Sequence, residues 1–183
     1  MMITERTLTL RDGRTAVLRS PQEADIPSLL ELLRRVTEET DFLMRYPEEA
    51  GEITPEQEKA FIEDVNGHAH NAMVLCVVEG RVVGSCSIST SHRIKLRHRA
   101  GIGISVLRDF WGQGIGTALL ETVIEAARRN PNLLQIELEF IEGNHRARQL
   151  YEKMGFRIVG LHPDAIRLKD GTLLHEYLMV RPL

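Results

Sequence analysis

The residues best suited to chemistry fall in two stretches of this 183-residue sequence. The first is Val106-Leu107-Arg108-Asp109-Phe110-Trp111-Gly112-Gln113-Gly114-Ile115-Gly116-Thr117-Ala118-Leu119-Leu120, with glycine at alternate positions 112, 114 and 116. A β-rich run over 100–106 leads into it, and an amphipathic helical pattern follows at once. Glycine has no Cβ to hold a ligand off the main chain. The first turn of a helix leaves its amides unpaired, at the positive end of the dipole. Together they offer a seat for a phosphate or pyrophosphate that needs no basic side chain. The same spacing also suits a turn that only lets strand and helix pack closely.

The second stretch is Asn144-His145-Arg146-Ala147-Arg148-Gln149-Leu150-Tyr151-Glu152-Lys153-Met154-Gly155-Phe156. Asn144 suits an N-cap, since its side-chain oxygen can accept from an early helix amide. Ala147, Leu150, Tyr151 and Met154 recur at helical spacing and share one face. Gly155 stands where a left-handed C-cap belongs, and Phe156 opens a strand. On these residues alone, Tyr151 is a core side chain.

Taken together, a Gly-x-Gly-x-Gly strand-to-helix loop and an Asn-x-x-Ala-x-x-Leu-Tyr-x-x-x-Gly-Phe helix resemble the GNAT superfamily of acyl-CoA-dependent N-acyltransferases. With the strand between them, 133–140, they cover roughly residues 100–160. Trp111 departs from the Gln or Arg common at its position, which bears on how the loop packs. The resemblance implies an α/β fold over 1–183 as a single domain. Its central sheet would be mixed, mostly antiparallel and twisted, flanked by helices and splayed between the two central strands. It also implies acetyl-CoA as co-substrate, and no metal. The peptide-like pantetheine arm would pair with main-chain groups of Ile104 and Val106, with the Val106 amide toward the thioester carbonyl. Amides of Gln113, Gly114, Gly116 and Thr117 would hold the pyrophosphate, Asn144 would touch the arm, and Tyr151 would protonate the departing thiolate. Arg146, Arg148 and Lys153 would meet the adenosine phosphate or form a solvated helix face.

A proton acceptor is also needed, because an alkylamine of pKa about 10 is mostly protonated at neutral pH. His98, Ala100, Ile102, Ile104 and Val106 share one parity and hence one strand face. Some relatives carry a glutamate where Ala100 stands. His98, one pair earlier, is the candidate base, since imidazole ordinarily exchanges a proton near neutral pH. It also suits a half-buried hairpin position, and a water chain to an acidic segment would need no base at all. That segment, 37–54, holds six carboxylates, Glu38, Glu39, Asp41, Glu48, Glu49 and Glu52, against one base, Arg45. By resemblance it walls the acceptor site, where its field would draw in a cationic amine. A solvated acidic loop is the ordinary alternative. His175 and Glu176 are further candidates to reach the acceptor.

The elements that must position these groups alternate between strand and helix. Residues 8–10 and 15–19 form a hairpin about Asp12-Gly13. Ile26, Leu29, Leu30, Leu33 and Val36 mark a helix, and Thr54-Pro55 opens a second. Strands follow over 72–78, 82–90 and 100–106, a helix over 114–130, and strands over 133–140, 156–160 and 173–180. Arg93, Lys95, Arg97 and Arg99 alternate with Ile94, Leu96 and His98 as a basic strand edge, of the kind that discourages sheet-to-sheet association. The formal charge of −3 makes no global case for nucleic acid. The longest apolar run, 72–78, is too short to span a bilayer. Residues 1–10 lack a signal-peptide core, and Cys76 and Cys86 read as buried thiols of a cytoplasmic protein. The expected partner is a small-molecule or peptide amine, and a homodimer stays open. The competing class is a non-catalytic acyl-CoA-binding sensor, for which Ala100 is the one hint.

Overall fold

A computed structural model describes residues 1–183. Eight strands form one sheet: β1 (Arg6–Thr9), β2 (Thr15–Arg19), β3 (Ala72–Val78), β4 (Arg81–Thr90), β5 (Arg99–Val106), β6 (Gln135–Ile141), β7 (Arg157–Arg167) and β8 (Leu173–Pro182). Their order is β1-β2-β3-β4-β5-β6-β8-β7. All neighbours are antiparallel except β5 and β6. The mixed, mostly antiparallel sheet expected from the sequence is therefore present.

The helices are α1 (Ile26–Glu39), α2 (Pro47–Gly51), α3 (Pro55–Gly67), α4 (Ile115–Ala127) and α5 (His145–Lys153). Thr54 caps α3, accepting from the Gln57 amide at 3.2 Å while Gln57 returns a bond to the Thr54 amide. Every residue of β3 is buried, so both sheet faces are covered there. A Cβ on Gly84 would meet Leu119 of α4 and Val106 of β5, which puts both on Gly84's face. Gly116 of α4 likewise abuts Leu150 of α5. Helices α1 and α3 pack against β4 and β3 on the opposite face. No helix is long and apolar enough to cross a membrane.

The parallel ladder between β5 and β6 is short, pairing Arg99, Ala100 and Gly101 with Gln135, Ile136 and Glu137. Beyond Gly101 the strands part, and β6 continues against β8 to Ile141. The splay sets which backbone groups are free. The Leu107 amide donates to Val83 O at 2.9 Å, in the register that pairs Ser105 with Ser85 and Gly103 with Ser87. Antiparallel strands bond to one neighbour through alternate residues. Ile104 and Val106 thus turn their amides and carbonyls away from β4 and toward the gap.

Three expectations are corrected. Residues 93–98 are not a strand edge: Ile94–Leu96 form a 3-10 turn, and β5 begins only at Arg99. Alternating side chains can mimic a strand's period without a partner to pair with. The acidic segment contains α2, opened by Pro47 with Glu49 bonding back to the Tyr46 amide at 2.8 Å. The strand expected over 156–160 continues to Arg167, with irregularities in its pairing to β8.

Candidate active site

A cleft of about 820 Å³ passes through the splay. Its walls are β5 from Ile102 to Val106, the glycine loop, the first turns of α4 and α5, Glu139 to Ile141 on β6, and the end of α1 with Phe42, Leu43 and Met44. Ile104, Val106, Gly114, Gly116, Thr117, Asn144 and Tyr151 all line it. Two of the catalytic and cofactor-binding candidates do not, and neither do His175 and Glu176.

His98 is the first. It precedes β5, and its carbonyl accepts from Leu134 N at 2.8 Å and Gln135 N at 3.3 Å. Six strand positions separate it from Ile104, roughly 20 Å at about 3.3 Å per residue. Shared parity fixed its face but not its distance, so the structure leaves it outside the cleft. Gln113 is the second. Its side chain turns outward and accepts from the Asp12 amide at 3.1 Å, tying the loop to the β1–β2 turn.

The three glycines differ in purpose. Gly112 (φ +79°) and Gly114 (φ +91°) hold left-handed backbone, with open space where a Cβ would stand. Gly114 is the N-cap of α4, so the helix starts with bare amides facing the cleft. Gly116 has ordinary backbone, and a Cβ there would lie 3.0 Å from Leu150 Cδ2. That glycine serves helix packing, the alternative reading of the spacing. Trp111 closes the loop: its Nε1 donates to Val106 O at 2.8 Å, and the Arg146 guanidinium lies 4.7 Å from its ring centre. Arg148 is engaged elsewhere, with Glu152 at 2.8 Å.

Asn144 caps α5, its Oδ1 accepting from Ala147 N at 3.2 Å. This fixes its amide group at the cleft. The α5 helix buries only Tyr151, whose ring lies between Phe140 at 6.3 Å and Phe156 at 6.1 Å. Burial, reinforced by Cys86, pushes the Tyr151 hydroxyl well above the ordinary phenol range. It stays protonated at any physiological pH.

Half of the carboxylates of the acidic segment are paired with cations. Glu38 pairs with Arg34, and Glu48 pairs with Lys169 of the β7–β8 turn. Glu39 accepts from Arg108 N at 2.7 Å and from Arg35 at 3.4 Å, latching α1 to the start of the glycine loop. Of the six carboxylates only Glu39 lines the cleft. What this segment contributes to the wall is mainly apolar: Phe42, Leu43 and Met44. His175 serves the chain itself, its amide donating to Glu142 at 3.1 Å and its Nδ1 accepting from Asp164 N at 3.1 Å.

One carboxylate escaped the sequence reading. Glu139 on β6 is exposed and lines the cleft. Its strand neighbour Glu137 is held by Arg99 at 3.3 Å. The alternation Ile136, Leu138, Phe140 against Glu137, Glu139 was the available signal, because it sets both acids on one face.

The chain around this cleft is similar in sequence and fold to known proteins. The acetyltransferase (GNAT) family model matches residues 31–156. L-amino acid N-acetyltransferase AaaT of Escherichia coli is 31% identical over 109 residues, covering 60% of this chain and 66% of that protein, just under two thirds of its length. An acetyltransferase of the GNAT family from Streptococcus pneumoniae superposes with a TM-score of 0.87 at 27% identity, covering 92% of this chain and 99% of that one. Ribosomal-protein-alanine N-acetyltransferase from Brucella melitensis superposes with a TM-score of 0.78 at 26% identity, covering 91% and 99%. With a family model spanning more than half of its length, and the splayed sheet and glycine loop in place, the chain belongs to the GNAT acetyltransferase family.

Proposed function

We propose that this chain transfers the acetyl group of acetyl-CoA to a primary amine, by direct attack of the neutral amine while both substrates are bound. The observation that supports this most is one cleft bounded by the start of α4, the unpaired backbone of β5 and Tyr151. The co-substrate supplies an acyl thioester, ready to pass its acyl group to nitrogen.

In this reading the Gly114, Gly116 and Thr117 amides hold the pyrophosphate, as a helix start does for anions generally. Ile104 and Val106 extend main-chain pairing along the peptide-like arm, and Asn144 orients it. The Val106 amide receives the carbonyl oxygen, a role worth ~3 kcal/mol in other acyl transfers. Trp111 holds the Val106 carbonyl, leaving the amide as that residue's free group. As the C–N bond forms and the C–S bond breaks, the sulfur leaves as the thiolate and the Tyr151 hydroxyl donates a hydrogen bond to it. A thiol of pKa about 8.5 is a stronger acid than a phenol of about 10, and burial widens that gap. Tyr151 therefore acts through a hydrogen bond that shortens as the sulfur departs. Glu139, rather than His98, takes the amine proton, since it is the carboxylate exposed in the cleft.

An acyl-enzyme has little support. Burial pushes the Cys76 thiol up to about 12 and Cys86 higher, and neither lines the cleft. The sensor reading rested on Ala100, which is 1% exposed within the parallel ladder and walls no part of the cleft. Acceptors on this reading are a small amine, an amino acid or analogue, or a peptide or protein amine. The names of relatives span that range, from L-amino acids to a ribosomal-protein alanine. Acetyl-CoA incubated with a panel of such amines, with free thiol followed over time, tests the proposal. Amine-dependent release is expected. Binding of acetyl-CoA without release for any amine would overturn it.

A further inference from the structure

The loop from β4 to β5 carries charge that acetyl transfer leaves unused. His92-Arg93-Ile94-Lys95-Leu96-Arg97-His98-Arg99 holds four Lys or Arg residues and no acid. Its 3-10 turn displays Arg93, Lys95 and Arg97 to solvent, and Ile94 at the tip is 77% exposed. Arg99 is committed to Glu137, whereas the other three cations enter no ion pair.

Position gives this loop a meaning. Arg99 and Leu96 wall a recess of about 230 Å³ with Ser89, Gly101 and Glu137. The recess lies on the sheet face away from α4 and α5, which also bears Glu139. On that face β4 and β5 present the cross-strand pairs Ser85–Ser105, Ser87–Gly103 and Ser89–Gly101. Ser105 and Gly103 belong to the cleft, and Gly101 to the recess. No side chain of those pairs larger than a hydroxymethyl stands between the two. Five strand steps from Ile104 to Arg99 span ~17 Å, the reach of about five extended residues.

We infer that the acceptor is the N-terminus of a polypeptide carrying acidic residues from about its fifth position, which Arg93, Lys95 and Arg97 bind while the terminal amine lies between Glu139 and Tyr151. The inference rests on the acetyl-transfer reading above. A free amino acid would use none of this surface. Nucleic acid fits it less well, because three cations flank an apolar tip and the path to the cleft is edged by Glu137 and Glu139, which repel phosphate.

The test uses ten-residue peptides that share their first four residues, carry Glu or Lys at positions five to seven, and are labelled at the C-terminus. Binding is followed by fluorescence anisotropy and acetylation by mass spectrometry. The Glu peptide should show about a tenfold lower Kd and KM than the Lys peptide at low salt, three surface charge pairs being worth that much. The gap should shrink as salt rises. It should close in the Arg93→Glu/Lys95→Glu/Arg97→Glu variant, which still acetylates a tripeptide of the same first residues at the wild-type rate. No gap, or a gap that survives in the variant, overturns the inference. So does a single-stranded RNA oligonucleotide that binds more tightly than the Glu peptide and is lost in the variant. Absent acetylation with the anisotropy gap intact would overturn the transfer reading and not the role of the loop.

Discussion

Leu150 Cδ2 lies 3.0 Å from the point where a Cβ on Gly116 would stand, so the third glycine of the loop is where α4 and α5 touch. Helix α4 supplies the anion-binding amides and α5 carries Asn144 and Tyr151. That contact ties the phosphate seat to the helix that carries the phenol. In Gly116→Ala, Leu150 or the whole of α5 has to retreat, at a cost of ~1–3 kcal/mol of stability. Weaker acetyl-CoA binding by calorimetry should accompany a lowered Tm. Adding Leu150→Ala should return much of the affinity. A single variant with wild-type affinity would show that this contact is not critical.

Tyr151→Phe removes one oxygen and leaves the ring among Phe140 and Phe156. Turnover should fall ~100-fold, the ordinary contribution of a positioned acid, with little change in acetyl-CoA affinity. The phenol is held far above its usual range, so its proton is present from pH 6 to 9. The wild-type rate should show no alkaline decline in that window through loss of this proton. Such a decline, absent in the Phe variant, would contradict the assignment.

Glu139 and His98 can be separated by kinetics. Glu139→Gln should lower kcat/KM ~100-fold at pH 7. The loss should narrow as pH passes the acceptor's own pKa, about 8 for a peptide N-terminus and about 10 for an alkylamine, above which the amine needs no deprotonation before it attacks. His98→Ala should leave kcat/KM within about twofold, because it precedes β5 and lies outside the cleft. The reverse pattern would restore the histidine as base.

Two buried thiols make stability fall in alkali. Both ionise far less readily in the folded chain than at their ordinary value near 9, Cys76 only at about 12 and Cys86 higher still. Below pH 9 both states hold the protons and nothing is lost. Above it only the unfolded chain releases them, which costs the fold about 1.4 kcal/mol per pH unit for each thiol. Denaturant midpoints measured between pH 8 and 10.5 should drop accordingly. Cys86→Ala should show a shallower slope, even if its midpoint is lower throughout.

The glycine loop and the Asn144 helix were legible because left-handed backbone, capping and helical spacing are local, and local rules state them. Facing and pairing are not local. The face of β6 that bears Glu139 gains its meaning only where β5 and β6 part. The carboxylates at 38, 39 and 48 looked like a field for a cationic substrate, yet Arg34, the Arg108 amide and Lys169 answer them. The last two come from distant parts of the chain. Residues 93–98 keep a strand's alternation without forming a strand, since periodicity cannot tell whether a partner strand is there.

Trp111 is the sole indole of the chain, and it stands at the mouth of the cleft with its ring against a guanidinium and its nitrogen on the backbone that would meet a ligand's arm. The molecule thus carries its own optical reporter. Filling of the site should register as a change in intrinsic emission, free of background from any other tryptophan. Association rates then become accessible by stopped flow without labelling or mutation.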